Sequence, residues 1–212
     1  MYCSKPITIY QTLYIQNYLN LIKLLNLIDF LCVFCGIFMS LIIKTQANGI
    51  YQHETKALTK IREAFSVEDE MRKVSPWYGY AGYTLVDQIS KKEGEFDLIL
   101  VTNSVLIIVE LKDWNGKSIK TADGNWYMDD RDMGVSPVAL TRQKQFILMN
   151  KLKVLKNKFQ GNPGFVPRVH FYVVMCGKVN FSGLPDEDLN HVISLEKFLK
   201  FATKNNFNKE FK

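Results

Sequence analysis

The chain predicts a single α/β domain behind an N-terminal membrane span. Three observations carry the domain. Two strand-forming runs, FDLILV (96–101) and VLIIVEL (105–111), are separated only by Thr102-Asn103-Ser104, the spacing of a hairpin. Gln52–Phe65 and Pro137–Phe159 place apolar residues at helical spacing. Val169–Met175 is a near-continuous apolar run, as expected of a strand covered on both faces.

The span precedes all of these. Leu24–Ile43 holds one acid, Asp29, and one amide, Asn26, and a stretch of about twenty apolar residues suffices to cross the hydrocarbon core. It begins too far into the chain and runs too long for a signal peptide. Asp29 lies a turn or two inside the span, within reach of the interface or a partner helix. Tyr10, Tyr14 and Tyr18 suit an interfacial belt, so a helix lying on the membrane surface is an alternative, as is a buried soluble helix. Lys44, Lys56, Lys60 and Arg62 follow the span while Lys5 and Lys23 precede it, which points the C-terminal domain toward the cytoplasm. The boundaries are then a membrane segment over 1–47 and an α/β domain over 48–212.

Within the domain, Ala57, Leu58, Ile61, Ala64 and Phe65 form the apolar stripe of the first helix, with Glu54 in its first turn. Tyr78–Ile89 reads as a strand with loops, broken by Lys91-Lys92-Glu93-Gly94. After the hairpin, Gly116 and Gly124 punctuate short strands around 118–120 and 125–127. Ser136-Pro137 supplies the N-cap and first-turn residues of the long helix. That helix carries Arg142, Lys144, Lys151, Lys153, Lys156 and Lys158, a face that is either solvated or tracks a phosphate backbone. Beyond the turn at 161–164 and the strand at 169–175, His191–Ile193 forms a last short strand. Ser194 caps a closing helix over Leu195–Thr203.

Composition narrows the function classes. The net charge of +6 suits a polyanion partner but is as easily that of a mildly basic soluble domain. The four cysteines form no disulfide framework; Cys32 and Cys35 have redox or zinc spacing but sit in an apolar run without a second Cys or His pair. His53, His170 and His191 are dispersed, and there is no Gly-rich phosphate loop and no repeat.

The chemistry lies in the hairpin. With Asn103-Ser104 as a two-residue turn, Asp97 faces Glu110 and Glu95 faces Lys112, on one side with Ile99, Val101, Leu106 and Ile108. The other side (Phe96, Leu98, Leu100, Val105, Ile107, Val109 and Leu111) is wholly apolar. Two carboxylates directly opposite lie about 5 Å apart at Cβ and repel. Either one is protonated or a cation sits between them, and a hard ion such as Mg²⁺ takes one or two carboxylates together with water and phosphate oxygens. Lys112 could then set its charge against a phosphate or a water at the metal. A plain Glu95–Lys112 salt bridge, with Asp97 at the strand entrance, stays open as the alternative.

The segment Gly94-Glu95-Phe96-Asp97-Leu98-Ile99-Leu100-Val101, a short turn, and Val105 through Glu110-Leu111-Lys112-Asp113-Trp114-Asn115-Gly116 resembles the core of the nuclease-related domain (NERD) family, of the PD-(D/E)xK nuclease superfamily. The resemblance implies a restriction-endonuclease-like mixed sheet flanked by helices. It makes Asp97 the motif's acid and Glu110 and Lys112 its Glu-x-Lys. Glu54 stands for the family's early-helix Glu, although the preceding Gly is replaced by His53. The family's Gln after Asn-Pro falls to Gln143 or Gln145, behind Ser136-Pro137 and later than the usual spacing. Asp97, Glu110 and Glu54, with the Leu111 carbonyl, would hold Mg²⁺ or Mn²⁺, and Trp114 could stack on a base. The implied function is a membrane-anchored nuclease hydrolysing phosphodiesters of DNA, ahead of RNA. The alternative is a membrane-tethered nucleic-acid-binding or adaptor module that keeps the fold without turnover.

Overall fold

The computed structural model describes residues 41–45, 52–65, 77–87, 90–102, 105–155 and 166–211. β-Branched and aromatic runs form the strands of a six-stranded mixed sheet. These are β1 (Ile42–Thr45), β2 (Tyr78–Val86), β3 (Glu93–Val101), β4 (Val105–Lys112), β8 (Arg168–Met175) and β9 (Val192–Ser194), in the spatial order β1-β2-β3-β4-β8-β9. β2, β3 and β4 are antiparallel neighbours, whereas β1 on β2, β8 on β4 and β9 on β8 are parallel. Helices cover both faces, so the chain is a mixed α/β protein.

One face packs against α1 (Gln52–Phe65), through Ala57, Leu58, Ile61 and Phe65, and against the C-terminal elements. Those are α4 (Leu195–Leu199), a short 3₁₀ turn (Lys200–Ala202) and α5 (Lys204–Phe211), where the sequence predicts one closing helix. The break follows from Thr203, whose extended backbone (ψ 142°) ends the first segment. Ser194 caps α4 by accepting from Lys197 N at 3.2 Å, as expected.

The opposite face packs against α2 (Pro137–Val154), with Val138, Ile147, Leu148 and Leu152 buried. Ser136 Oγ caps it by accepting from Ala139 N. A three-stranded meander, β5 (Ile119–Ala122), β6 (Asn125–Met128) and β7 (Arg131–Val135), completes this side; the sequence pattern predicts only its first two strands. Ile119 and Trp126 insert into the same core, and Trp126 Nε1 donates to Asp188 of α3 (Asp186–Leu189) at 3.1 Å.

The predicted span needs correction at its C-terminal end. Leu41 is 2% exposed within the α1-side core, and Ile42–Thr45 is a strand pairing with Tyr78–Ala81, not helix. The two adjacent β-branched isoleucines and Thr45 favour a pleated edge, and the Ile42 amide donates to the Trp77 carbonyl. Residues 41–45 therefore belong with the sheet rather than with a membrane segment 1–47. The rest of the predicted span, 24–40, lies outside the described residues. Among the described residues no helix is long and apolar enough to cross a membrane.

Candidate functional site at a fork in the sheet

β3 and β4 pair with the expected register, Leu98 against Val109 through Val101 against Leu106. The pairing ends at Leu98–Val109, one step before Asp97 would face Glu110. From Glu110 on, β4 keeps only β8 as a partner, through Lys112 against Met175. Asp97 Oδ2 closes the gap by accepting the Leu111 amide at 2.7 Å, so a side chain replaces a ladder bond. The site is this fork.

A second irregularity shapes it. Gly82 and Asp97 both drop out of the β2–β3 ladder, and Gly82 has φ +70°, the left-handed region open to glycine. The alternation of faces inverts there: Tyr80 and Ile99 pack on the α2 side, and so do Tyr83, Leu85 and Phe96 beyond the break. Phe96 therefore lies on the α2 side, not with Leu98 and Leu100 as simple alternation predicts. Gly94 also faces α2, where an added Cβ would meet Ile147 and Lys144. Glu95, between Gly94 and Phe96, points the other way and is exposed. The predicted Glu95–Lys112 facing pair is thus undone by the inversion at Gly82.

Lys112 instead pairs with Glu110 of its own strand, Nζ to Oε1 at 2.7 Å. The second oxygen, Oε2, is taken at 2.5 Å by Lys144 Nζ, reaching down from α2. Glu110 is 7% exposed and is bracketed by two ammonium groups. Glu54, in the first turn of α1, is 8% exposed and close enough for its charge to act on Lys112. The fork is thus approached from both faces of the sheet. Among the described residues, however, no three His, Cys, Asp or Glu side chains converge as a metal-binding group.

Electrostatics separates the two acids. Burial, then the neighbouring Glu110 charge, pushes Asp97 up to about 7 from an ordinary 3.8, against the pull of Lys144, Lys112 and the Leu111 amide. Burial acts on Glu110 in the same sense, but Lys144 and Lys112 outweigh it and hold that carboxyl below its usual range. Burial alone would lower Lys112; the charge and hydrogen bond of Glu110, with Asp97 and Glu54 behind them, raise it instead. Lys112 is therefore a fixed positive charge at neutral pH. The donor chemistry fits a hard divalent ion in a minimal way, with two adjacent carboxylates whose mutual repulsion a cation would relieve.

The remaining expected residues lie elsewhere. Gln145 Nε2 donates to the Val169 carbonyl at 2.6 Å, and Gln143 is exposed. Trp114 is half-buried and packs edge-on to Trp126 at 6.1 Å. Its backbone lies hard against the bend that follows β8, where a Cβ on Gly177 would collide with the Trp114 carbonyl. His191 stacks on Phe171 and His170 meets the Phe211 ring edge-on.

Lys144 is not singled out by the sequence pattern, which places it on a basic outer face. A signal is present all the same: with Pro137, Thr141, Leu148 and Leu152 it falls at helical spacing on the buried stripe of α2. A lysine there needs an acid to meet.

The fold and fork define an α/β protein that gathers acid and lysine where two central strands of a mixed sheet part. The family model of the nuclease-related domain matches residues 51–176, more than half of the chain, and the chain belongs to that family. No curated protein and no solved structure matches it.

Proposed function

We propose that the protein is a divalent-metal-dependent nuclease that hydrolyses phosphodiester bonds, with DNA the first substrate to test. The observation that carries this is the fork itself: Asp97, Glu110 and Lys112 gathered at the end of the β3–β4 ladder, in a chain of the nuclease-related family. Asp97 and Glu110 would hold Mg²⁺ or Mn²⁺, with Glu54 shaping the field from the α1 side. Such an ion supplies positive charge against the charge developing on a phosphate and makes a nearby water more acidic. Lys112, whose ammonium is held by Glu110, would orient or activate the attacking water or set its charge against the phosphate.

A second reading, a binding or adaptor module without turnover, is favoured by one observation: both Glu110 oxygens are already neutralised by lysines. One assay separates the two. Full-length protein and Lys112→Ala are compared on single- and double-stranded DNA and RNA with Mg²⁺ or Mn²⁺. Cleavage by the wild type that drops at least about 100-fold in the variant is expected. A wild type that cuts none of these substrates sinks the enzyme reading, and activity that survives Lys112→Ala sinks the role given to that residue.

We also infer attachment to a membrane through the apolar stretch 24–40, with the α/β domain on the cytoplasmic side. Buried Leu41 and β1 together claim residues 41–45, which leaves a stretch at the short end of the lengths that span a bilayer. Release of the protein from membranes by alkaline carbonate would reject the span.

A further inference from the structure

Lys144 reaches Glu110 from a different element than every other group at the fork, and the fold makes room for it. Its place on the buried stripe of α2 aims it at the sheet. Gly94 of β3 leaves the space its stem occupies: a Cβ there would lie 3.3 Å from Lys144 Cγ and 3.2 Å from Ile147 Cδ1. The side chain is 17% exposed, which leaves its head a way out to solvent. Its charge acts on both acids of the pair, Asp97 as well as Glu110.

A cation held by Glu110 and Asp97 must approach oxygens at about 2.0–2.1 Å if it is Mg²⁺. Oε2 already has an ammonium at 2.5 Å and Oε1 has one at 2.7 Å. Two cations sharing one carboxylate oxygen repel strongly in a partly buried site, so one lysine has to yield. Lys112 is fixed to the strand that carries Glu110 and keeps Asp97 and Glu54 as further counter-charges. Lys144 hangs from α2 on a flexible four-carbon stem.

We propose that Lys144 is a built-in competitor for the metal: its ammonium holds Glu110 in the metal-free protein and has to leave Oε2 before a divalent cation is taken up. The inference rests on the reading of Asp97 and Glu110 as cation ligands. It makes Lys144 a positioning residue that sets how much metal the site requires, and it accounts for a buried carboxylate that is stable without any metal. A lysine that merely glued α2 to the sheet would stabilise the protein equally with and without metal; a competitor does so only without it.

The test uses metal-free full-length protein, with Lys144→Met, Lys144→Arg and Gly94→Ala beside the wild type. Mn²⁺ is titrated calorimetrically, and melting is followed with and without millimolar Mg²⁺. Lys144→Met is expected to bind Mn²⁺ about tenfold tighter, to melt lower than wild type without metal, and to close that gap when Mg²⁺ is added. Lys144→Arg keeps the charge and stays near wild type. Gly94→Ala crowds the stem and shifts affinity in the direction of Lys144→Met by less, a check that does not depend on Lys144→Met folding. Unchanged Mn²⁺ affinity in Lys144→Met, or an equal loss of melting temperature with and without Mg²⁺, overturns the proposal. If wild type cleaves nucleic acid, the Mg²⁺ concentration for half-maximal cleavage should fall in Lys144→Met. If it cleaves none, the nuclease reading fails while calorimetry and melting still decide the role of Lys144. Failure of both wild type and Lys144→Met to bind Mn²⁺ overturns both readings.

Discussion

The two ends of one strand pair behave in opposite ways. Near the turn, Leu98–Val101 and Leu106–Val109 form an unbroken ladder. Thr102 finishes it, its hydroxyl donating to the Val105 carbonyl at 2.8 Å and accepting the Val105 amide at 3.1 Å. Both faces there are apolar and fully covered, Leu98 and Leu100 toward α1, Ile99 and Val101 toward α2. At the far end the same strands part as soon as two acids would face each other, and a carboxylate takes over a backbone bond. Apolar pairs close a sheet because burial rewards contact; a like-charged pair opens it because repulsion and desolvation outweigh one more ladder step. The opening leaves a polar cluster in the middle of the sheet, acted on by the charge of Glu54 from one face and reached by Lys144 from the other.

Three measurements would break or sharpen that contrast. Leu100→Ala, at the closed end, should cost about 2–5 kcal/mol of stability by emptying a fully buried site, while leaving any stabilisation by Mg²⁺ intact. Loss of the Mg²⁺ effect in that variant would mean that the two ends are not independent. Asp97→Asn, at the open end, should do the reverse. In metal-free protein Asp97 keeps its proton up to about 7, whereas the unfolded chain loses it near 3.8. The folded state therefore holds the extra proton between those values, and the stability this group contributes is lost as pH rises through about 7. The amide introduced by Asp97→Asn cannot titrate, and its oxygen can still accept the Leu111 amide. The difference between wild type and variant in urea melts with EDTA should thus shift on the order of 2–4 kcal/mol in favour of the variant from pH 4 to pH 8. A difference that stays flat across that range would show that the fork does not strain Asp97. The smallest effect is expected for Gly82→Ala, which puts a Cβ on a residue at φ +70° and should cost about 1–2 kcal/mol. If it instead left stability unchanged, the inversion of faces would owe nothing to that glycine.

How far these features could be read in advance follows the range of the physics behind each. The hairpin register needed only a short turn and two runs of alternating side chains, so Leu98–Val109 through Val101–Leu106 was accessible from local spacing. The same alternation misplaces Phe96 and Glu95, because one positive-φ glycine on the neighbouring strand inverts it. Asp97, Glu110 and Lys112 stand out as charges inside apolar strands. Lys144 does not, since a lysine on a helix is ordinary until the helix is docked and the residue is seen on the buried stripe. The end of the apolar N-terminal run is ambiguous for a related reason: Leu41, Ile42 and Ile43 are as suited to a sheet as to a membrane, and only the edge of β2 chooses between them.

Residue order alone thus carried what depends on neighbours along the chain: strand and helix periods, caps at Ser136 and Ser194, and the acids and lysine of the hairpin. Docking settled the rest. Where the ladder stops, which way Glu95 points, and which lysine answers Glu110 all depend on charges and backbones far apart in the chain, whose energies count only once burial has stripped away the water between them.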